Sequence, residues 1–135
     1  MLVMAVLIVP PCNCLATVNY ILSGNNGNIL NTGDSISTFT DDGHTYQLIM
    51  QSDCNLVLYD NGSPVWASGS GGRGSDCLFQ ILPSGNLRII ADSGSGNTVW
   101  FTDNAVELSN YILLLQGDRN LVLYGGVKWA TNTAS

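Results

Sequence analysis

Two nine-residue stretches, Gln51–Tyr59 (QSDCNLVLY) and Gln116–Tyr124 (QGDRNLVLY), carry the same five residues at alternate positions. In the first they are Gln51, Asp53, Asn55, Val57 and Tyr59. In the second they are Gln116, Asp118, Asn120, Val122 and Tyr124. A period of two is that of a β-strand, whose successive side chains point to opposite faces. The alternate set in the first stretch, Ser52, Cys54, Leu56 and Leu58, reads as the core face. The remaining face is a row of hydrogen-bonding groups with one methyl-bearing residue among them. An amphipathic strand needs polar residues toward water, but not the same five in the same order twice.

Each row belongs to a longer repeat. An apolar lead-in, an Asn-Leu pair (Asn55, Asn86, Asn120), a short turn and a Trp (Trp66, Trp100, Trp129) recur three times. The spacing of about 30–35 residues is that of a supersecondary unit. Three similar four-stranded units with approximate threefold symmetry follow from this. The three Trp residues would then sit at equivalent places and share one central core, where their apolar area is worth most. Ahead of the repeats, Tyr20–Leu22 is a short strand, and Ile29–Leu30 and Ser35–Ser37 are short apolar touches around a turn. Turn formers at 24–28, 32–34 and 41–43 separate them, and no stretch has room for a long helix.

The middle repeat keeps the apolar face and loses the row, reading Leu82, Ser84, Asn86, Arg88 and Ile90. The fold therefore does not require the row, and the two intact copies point to function. Asn86 survives where the rest is lost, so the Asn position also serves the turn.

Net charge −6, from four basic and ten acidic residues, opposes nucleic acid or an anionic membrane as partner. Charged residues are only 10% of the 135, and fifteen glycines fit an all-β chain dense in turns. Met1 to about Ala16 reads as a secretory signal peptide, with an apolar run too short to span a bilayer and no positive residue at its start. The mature domain is then residues 17–135. Removal of the leader takes Cys12 and Cys14 and leaves Cys54 and Cys77, either as a disulfide in an oxidising compartment or as two buried thiols.

No CxxC motif and a single His leave no zinc site, and no cofactor is expected. His44 reads as a solvated turn residue, and Arg73 and Arg119 as solvated too. Asp53 and Asp118 occupy equivalent places in separate repeats, too far apart for a glycosidase pair, so no catalytic residue is expected. Asn61-Gly62-Ser63 is a glycosylation sequon weakened by Pro64.

Together these features resemble the monocot mannose-binding lectins, the bulb-type or snowdrop-agglutinin-like family, whose signature is Gln-x-Asp-x-Asn-x-Val-x-Tyr. The signature stands intact at Gln51–Tyr59 and Gln116–Tyr124, and the resemblance extends from about Asn19 to Thr133, the Cys54–Cys77 pair included. It implies a β-prism II fold of three four-stranded antiparallel sheets. It also implies that Asp53 and Asn55 hold the axial 2-hydroxyl of mannose, Gln51 the 3-hydroxyl and Tyr59 the 4-hydroxyl, with Val57 against the ring carbons. Asp118, Asn120, Gln116, Tyr124 and Val122 would act likewise. The middle row is expected not to bind mannose.

The reading is a secreted or vacuolar lectin for terminal mannose of high-mannose glycans or glycoproteins. By family resemblance it is a homodimer or higher oligomer formed by exchange of the C-terminal strand around Val127–Ala130. The alternative is a storage, defence or taste-active protein on the same scaffold with little sugar binding.

Overall fold

The computed structural model describes residues 19–22, 29–104, 110–125 and 129–135. The expected leader and Val127–Lys128 lie outside these residues.

The short apolar runs bounded by turn formers become twelve strands: β1 Tyr20–Leu22, β2 Ile29–Asn31, β3 Ser35–Phe39, β4 Thr45–Met50, β5 Leu56–Asp60, β6 Ser63–Ala67, β7 Leu78–Ile81, β8 Leu87–Ile90, β9 Thr98–Phe101, β10 Ile112–Leu115, β11 Leu121–Tyr124 and β12 Trp129–Ala130. A single 3-10 turn at Asp92–Gly94 is the only helical element among the described residues. The strands form three four-stranded sheets, ordered β3-β4-β5-β6, β2-β7-β8-β9 and β1-β10-β11-β12, with every pairing antiparallel.

Each sequence repeat supplies only three strands. The fourth comes from the segment ahead of the repeats, which contributes β1, β2 and β3 to three different sheets. Tyr20 pairs with Leu114, Ile29 with Gln80, and Ser35 with Ile49. The first sheet, β3 to β6, is contiguous in sequence, whereas each of the other two is a three-stranded meander completed by β1 or β2 from far ahead.

Alternation decides what is buried. In β4 the residues Tyr46, Leu48 and Met50 point inward, and in β7 and β10 Phe79, Ile81, Leu113 and Leu115 do the same. These side chains, with Leu56, Leu58, Leu87, Ile89, Leu121 and Leu123, form one apolar cluster at the meeting of the three sheets. Tyr111 is the largest fully buried side chain. It lies against two glycines from different sheets, Gly85 and Gly125. A Cβ at Gly85 would stand 2.8 Å from Tyr111 Cζ, and one at Gly125 would stand 2.2 Å from Cδ1.

Trp66 and Trp100 do not fill that centre. Trp66 and Trp100 are half-buried and pack against the cluster from β6 and β9, with ring centroids 6.1 Å apart in an edge-to-face arrangement. β6 and β9 are edge strands of their sheets, and aliphatic side chains of the inner strands make up most of the cluster. The Trp129 side chain lies outside the described residues.

Candidate functional site

The row of alternating residues is half turn and half strand. In all three repeats the N–H of the first row residue donates to the carbonyl of the fifth residue along: Gln51 to Asn55 at 2.9 Å, Leu82 to Asn86 at 2.8 Å, and Gln116 to Asn120 at 2.9 Å. The fourth residue's N–H closes on the first carbonyl, from Cys54, Gly85 and Arg119 at 3.1, 2.9 and 3.0 Å. That fourth residue has a positive φ of 72°, 86° and 73° respectively. This is a three-residue hairpin loop ending in a left-handed residue. A strict period of two across Gln51–Tyr59 is thus broken at the loop, and Ser52, expected on the core face, is exposed.

A second set of residues, unread in the sequence, holds these loops. Two and four positions after each Trp stand Ser68 and Ser70, Thr102 and Asn104, Thr131 and Thr133. The first of each pair accepts the N–H that follows the loop: Leu56 to Ser68 Oγ at 3.0 Å, Leu87 to Thr102 Oγ1 at 2.9 Å, and Leu121 to Thr131 Oγ1 at 3.2 Å. The second donates to the carbonyl of the left-handed residue: Ser70 to Cys54 at 2.6 Å, Asn104 to Gly85 at 2.9 Å, and Thr133 to Arg119 at 2.7 Å. The Asn of each row accepts from the same segment. Asn55 Oδ1 takes Gly69 N–H at 3.1 Å, Asn86 Oδ1 takes Asn104 N–H at 2.9 Å, and Asn120 Oδ1 takes Thr133 N–H at 3.3 Å. Its carbonyl is structural in every repeat, which explains why Asn86 persists. The Nδ2 donor is left over. The repeated Trp-x-Ser/Thr-x-Ser/Thr/Asn spacing was the available signal.

At both intact rows the acidic side chain is half committed. Asp53 Oδ1 accepts the Asn55 N–H at 2.9 Å, and Asp118 Oδ1 accepts the Asn120 N–H at 3.0 Å. These bonds aim the second carboxylate oxygen outward. Gln51 Nε2 bonds Tyr59 Oη, and Tyr124 Oη bonds Gln116 Oε1. Val57 and Val122 are buried and form an apolar floor, whereas Asp53 and Asp118 are exposed. Each row thus presents a carboxylate oxygen, an amide N–H₂ and a Gln–Tyr pair around a methyl-bearing floor, open to solvent. Asp53 and Asp118 stand on loops of different sheets.

The disulfide Cys54–Cys77, with Cα atoms 5.3 Å apart, ties the first loop to the start of β7 in the neighbouring sheet. His44 and Arg119 are not simply solvated. His44 Nδ1 lies 2.6 Å from Asp60 Oδ1, and Arg119 Nη1 lies 3.0 Å from Asp60 Oδ2. Arg119 Nε also donates to Thr133 O at 2.6 Å. The hydrogen bond to Asp60 raises the His44 pKa, and the bond from His44, followed by that from Arg119, lowers the Asp60 pKa. Arg73 reaches the Val99 carbonyl at 3.4 Å from an exposed position.

The middle row differs in more than its five letters. Arg88 lies opposite Gln80 in the β7–β8 pairing and donates to Gln80 Oε1 from Nε at 3.1 Å and Nη2 at 3.0 Å. Across β9 it faces Phe101, where the other sheets have Ala67 opposite Val57 and Ala130 opposite Val122.

The chain is 38% identical over 89 residues to a mannose-specific lectin of Aloe arborescens, 80% of which it covers. The chain belongs to the monocot mannose-binding lectin family. Its structure matches that of the mannose-specific bulb lectin of Scilla campanulata with a TM-score of 0.74 and 41% identity, covering 87% of this chain and 99% of the other. The snowdrop (Galanthus nivalis) agglutinin complexed with methyl-α-D-mannoside superposes with a TM-score of 0.68 at 36% identity, covering 87% and 98%. The three sheets are the β-prism II of these bulb lectins. The chain spans only a third to a half of several other curated relatives, among them mannose-specific lectins of Colocasia esculenta. No family model matches the chain. Lectins bind carbohydrate without transforming it, and the family is not one of enzymes.

Proposed function

We propose that this lectin binds terminal mannose of high-mannose glycans at two sites, Gln51/Asp53/Asn55/Val57/Tyr59 and Gln116/Asp118/Asn120/Val122/Tyr124, and not at the middle row. The observation that carries the reading is the repeated Asp geometry. One oxygen is fixed by the backbone N–H two residues on, and its partner is aimed at solvent beside a spare Asn Nδ2 donor.

A sugar hydroxyl both donates and accepts, so a carboxylate oxygen and an amide N–H₂ side by side match one hydroxyl. The charged acceptor makes the stronger bond. In this reading Asp and Asn hold the axial 2-hydroxyl, Gln and Tyr take the 3- and 4-hydroxyls, and Val packs on ring carbons. Leu82 and Ile90 remove two polar positions from the middle row, Ser84 removes the charge, and Arg88 covers the floor.

Open sites exchange water contacts for sugar contacts at modest net gain, so single-sugar affinity is about millimolar. Useful avidity then needs several sites. Exchange of the Trp129–Ala130 strand between copies would supply them at small cost, since that strand pairs at only two positions with β11. The Cys54–Cys77 bond suits an oxidising compartment and thus a secreted or vacuolar protein.

Titration with methyl α-mannoside should count two sites per chain. The Asp53→Ala/Asp118→Ala protein should bind none. Retained binding in that protein would remove the assignment.

A further inference from the structure

The middle row is a depression of about 260 Å³ lined by Leu82, Asn86, Arg88, Thr98 and Phe101. We propose that it is a binding site of its own, for a carboxylate-bearing pyranose such as a uronic or sialic acid.

The chemistry of its lining differs in kind from the intact rows. There the charged group is a carboxylate; here it is a guanidinium. The two bonds from Arg88 to Gln80 Oε1 hold the fork in place without neutralising it, because Gln80 is uncharged. Among the described residues no carboxylate pairs with Arg88; the ion pairs are those of Asp60. Nη1 stays available to an acceptor.

The neighbouring polar groups add donors. Asn86 Oδ1 is occupied by the Asn104 N–H, which leaves its Nδ2 to donate. Thr98 stands opposite Ile90, and among the described residues its hydroxyl has no hydrogen-bond partner. Three donors with no free acceptor carboxylate select an acceptor-rich, anionic ligand.

Two apolar groups flank them. Phe101 is 64% exposed, and Leu82 stands at the position of the polar Gln51 and Gln116. A large exposed aromatic beside a held cation has little to do in a folded chain alone, but it can take the C–H face of a sugar ring while the carboxylate meets Arg88. The volume is below the ~300–1,000 Å³ of clefts for drug-sized molecules, so one ring is the fitting size.

The test uses the full chain labelled with ¹⁵N, in the Asp53→Ala/Asp118→Ala background so that the mannose rows are silent. Methyl β-glucuronide should shift the Arg88 Nε–H and Asn86 Nδ2–H₂ signals, while methyl β-glucoside, of the same shape without the charge, should not. Arg88→Val, the residue found in the other two sheets, should weaken glucuronide binding about tenfold or more. Phe101→Ala, the residue at the matching positions, should weaken it too while the fold is kept. Equal shifts with glucoside, no shift with glucuronide, or equal response to inorganic phosphate alone would overturn the proposal. Methyl mannoside in the chain with its aspartates intact reads the two mannose rows separately, so failure of either reading leaves the other standing.

Discussion

Arg119 donates to Asp60 at 3.0 Å, joining the loop of the second intact row to the residue that follows Tyr59 of the first. Asp60 is 13% exposed and also holds His44, so one carboxylate serves a guanidinium and an imidazole from different parts of the chain. A bond between two sheets of the prism is thereby tied to a titrating group.

The sign of its pH dependence follows from the two shifts. The His44 pKa is raised in the folded state, so its contribution is complete below its unfolded value near 6.5 and is lost as pH rises through the higher folded value. The Asp60 pKa is lowered, so its contribution is complete above its unfolded value near 3.8 and is lost as pH falls through the lower folded value. Urea unfolding should show this part of the stability greatest from about pH 4 to 6.5. His44→Ala should flatten the alkaline side, and an unchanged slope there would refute the role of the pair.

Ser70→Ala should destabilise without touching a row residue. Ser70 is fully buried and its hydroxyl holds the Cys54 carbonyl at 2.6 Å. Leaving that carbonyl without its donor costs about 1–3 kcal/mol. Denaturant midpoints measure the loss, and mannose titration should still count two sites.

Gly85→Ala should be the most damaging single methyl group in the middle repeat. The φ of +86° costs an alanine about 1–2 kcal/mol. Its Cβ would also press on Tyr111 at 2.8 Å, adding overpacking of about 1–3 kcal/mol. A melting temperature equal to that of the unsubstituted protein would show that Tyr111 gives way freely.

Replacing Cys54 and Cys77 together by serine opens a loop spanning 23 residues. The chain-entropy model gives about 3 kcal/mol for a loop of this size. Thermal unfolding with and without reductant checks it.

Rebuilding the middle row tests the mannose assignment from the opposite side. Leu82→Gln, Ser84→Asp, Arg88→Val, Ile90→Tyr and Phe101→Ala together should raise the count of methyl α-mannoside sites from two to three. A count still at two would mean that the row residues alone do not make a site.

Much of this was legible in the chain. Tyr20–Leu22 is strand β1, because an apolar run between turn formers is a local signal. The Asn61-Gly62 turn is a two-residue hairpin with φ of 48° and 83°. What was missed depends on pairing over distance. Alternation could not reveal that the Gln51–Asn55 half of the row is a loop, since a left-handed Cys54 looks like any Cys in a string of letters. Nor could it show that β1–β3 go to separate sheets, that Asp60 draws in His44 and Arg119, or that Ser68 and Ser70 brace a loop 12 and 16 residues back. The tryptophans were assigned the centre on their equivalent places and their apolar area, whereas their strands are sheet edges.

The dispersal of β1, β2 and β3 governs how the molecule can assemble. Asn19 receives the Leu115 N–H at 2.8 Å across 96 residues of chain. β1 therefore has no sheet to join until β10 has been synthesised, whereas β3 and β2 meet β4 and β7 earlier. Loop closure over such separations slows folding, and meanwhile β10 keeps a bare edge of the sort that invites pairing with another chain. A chain cut off ahead of β10 would leave β1 without its partner strand.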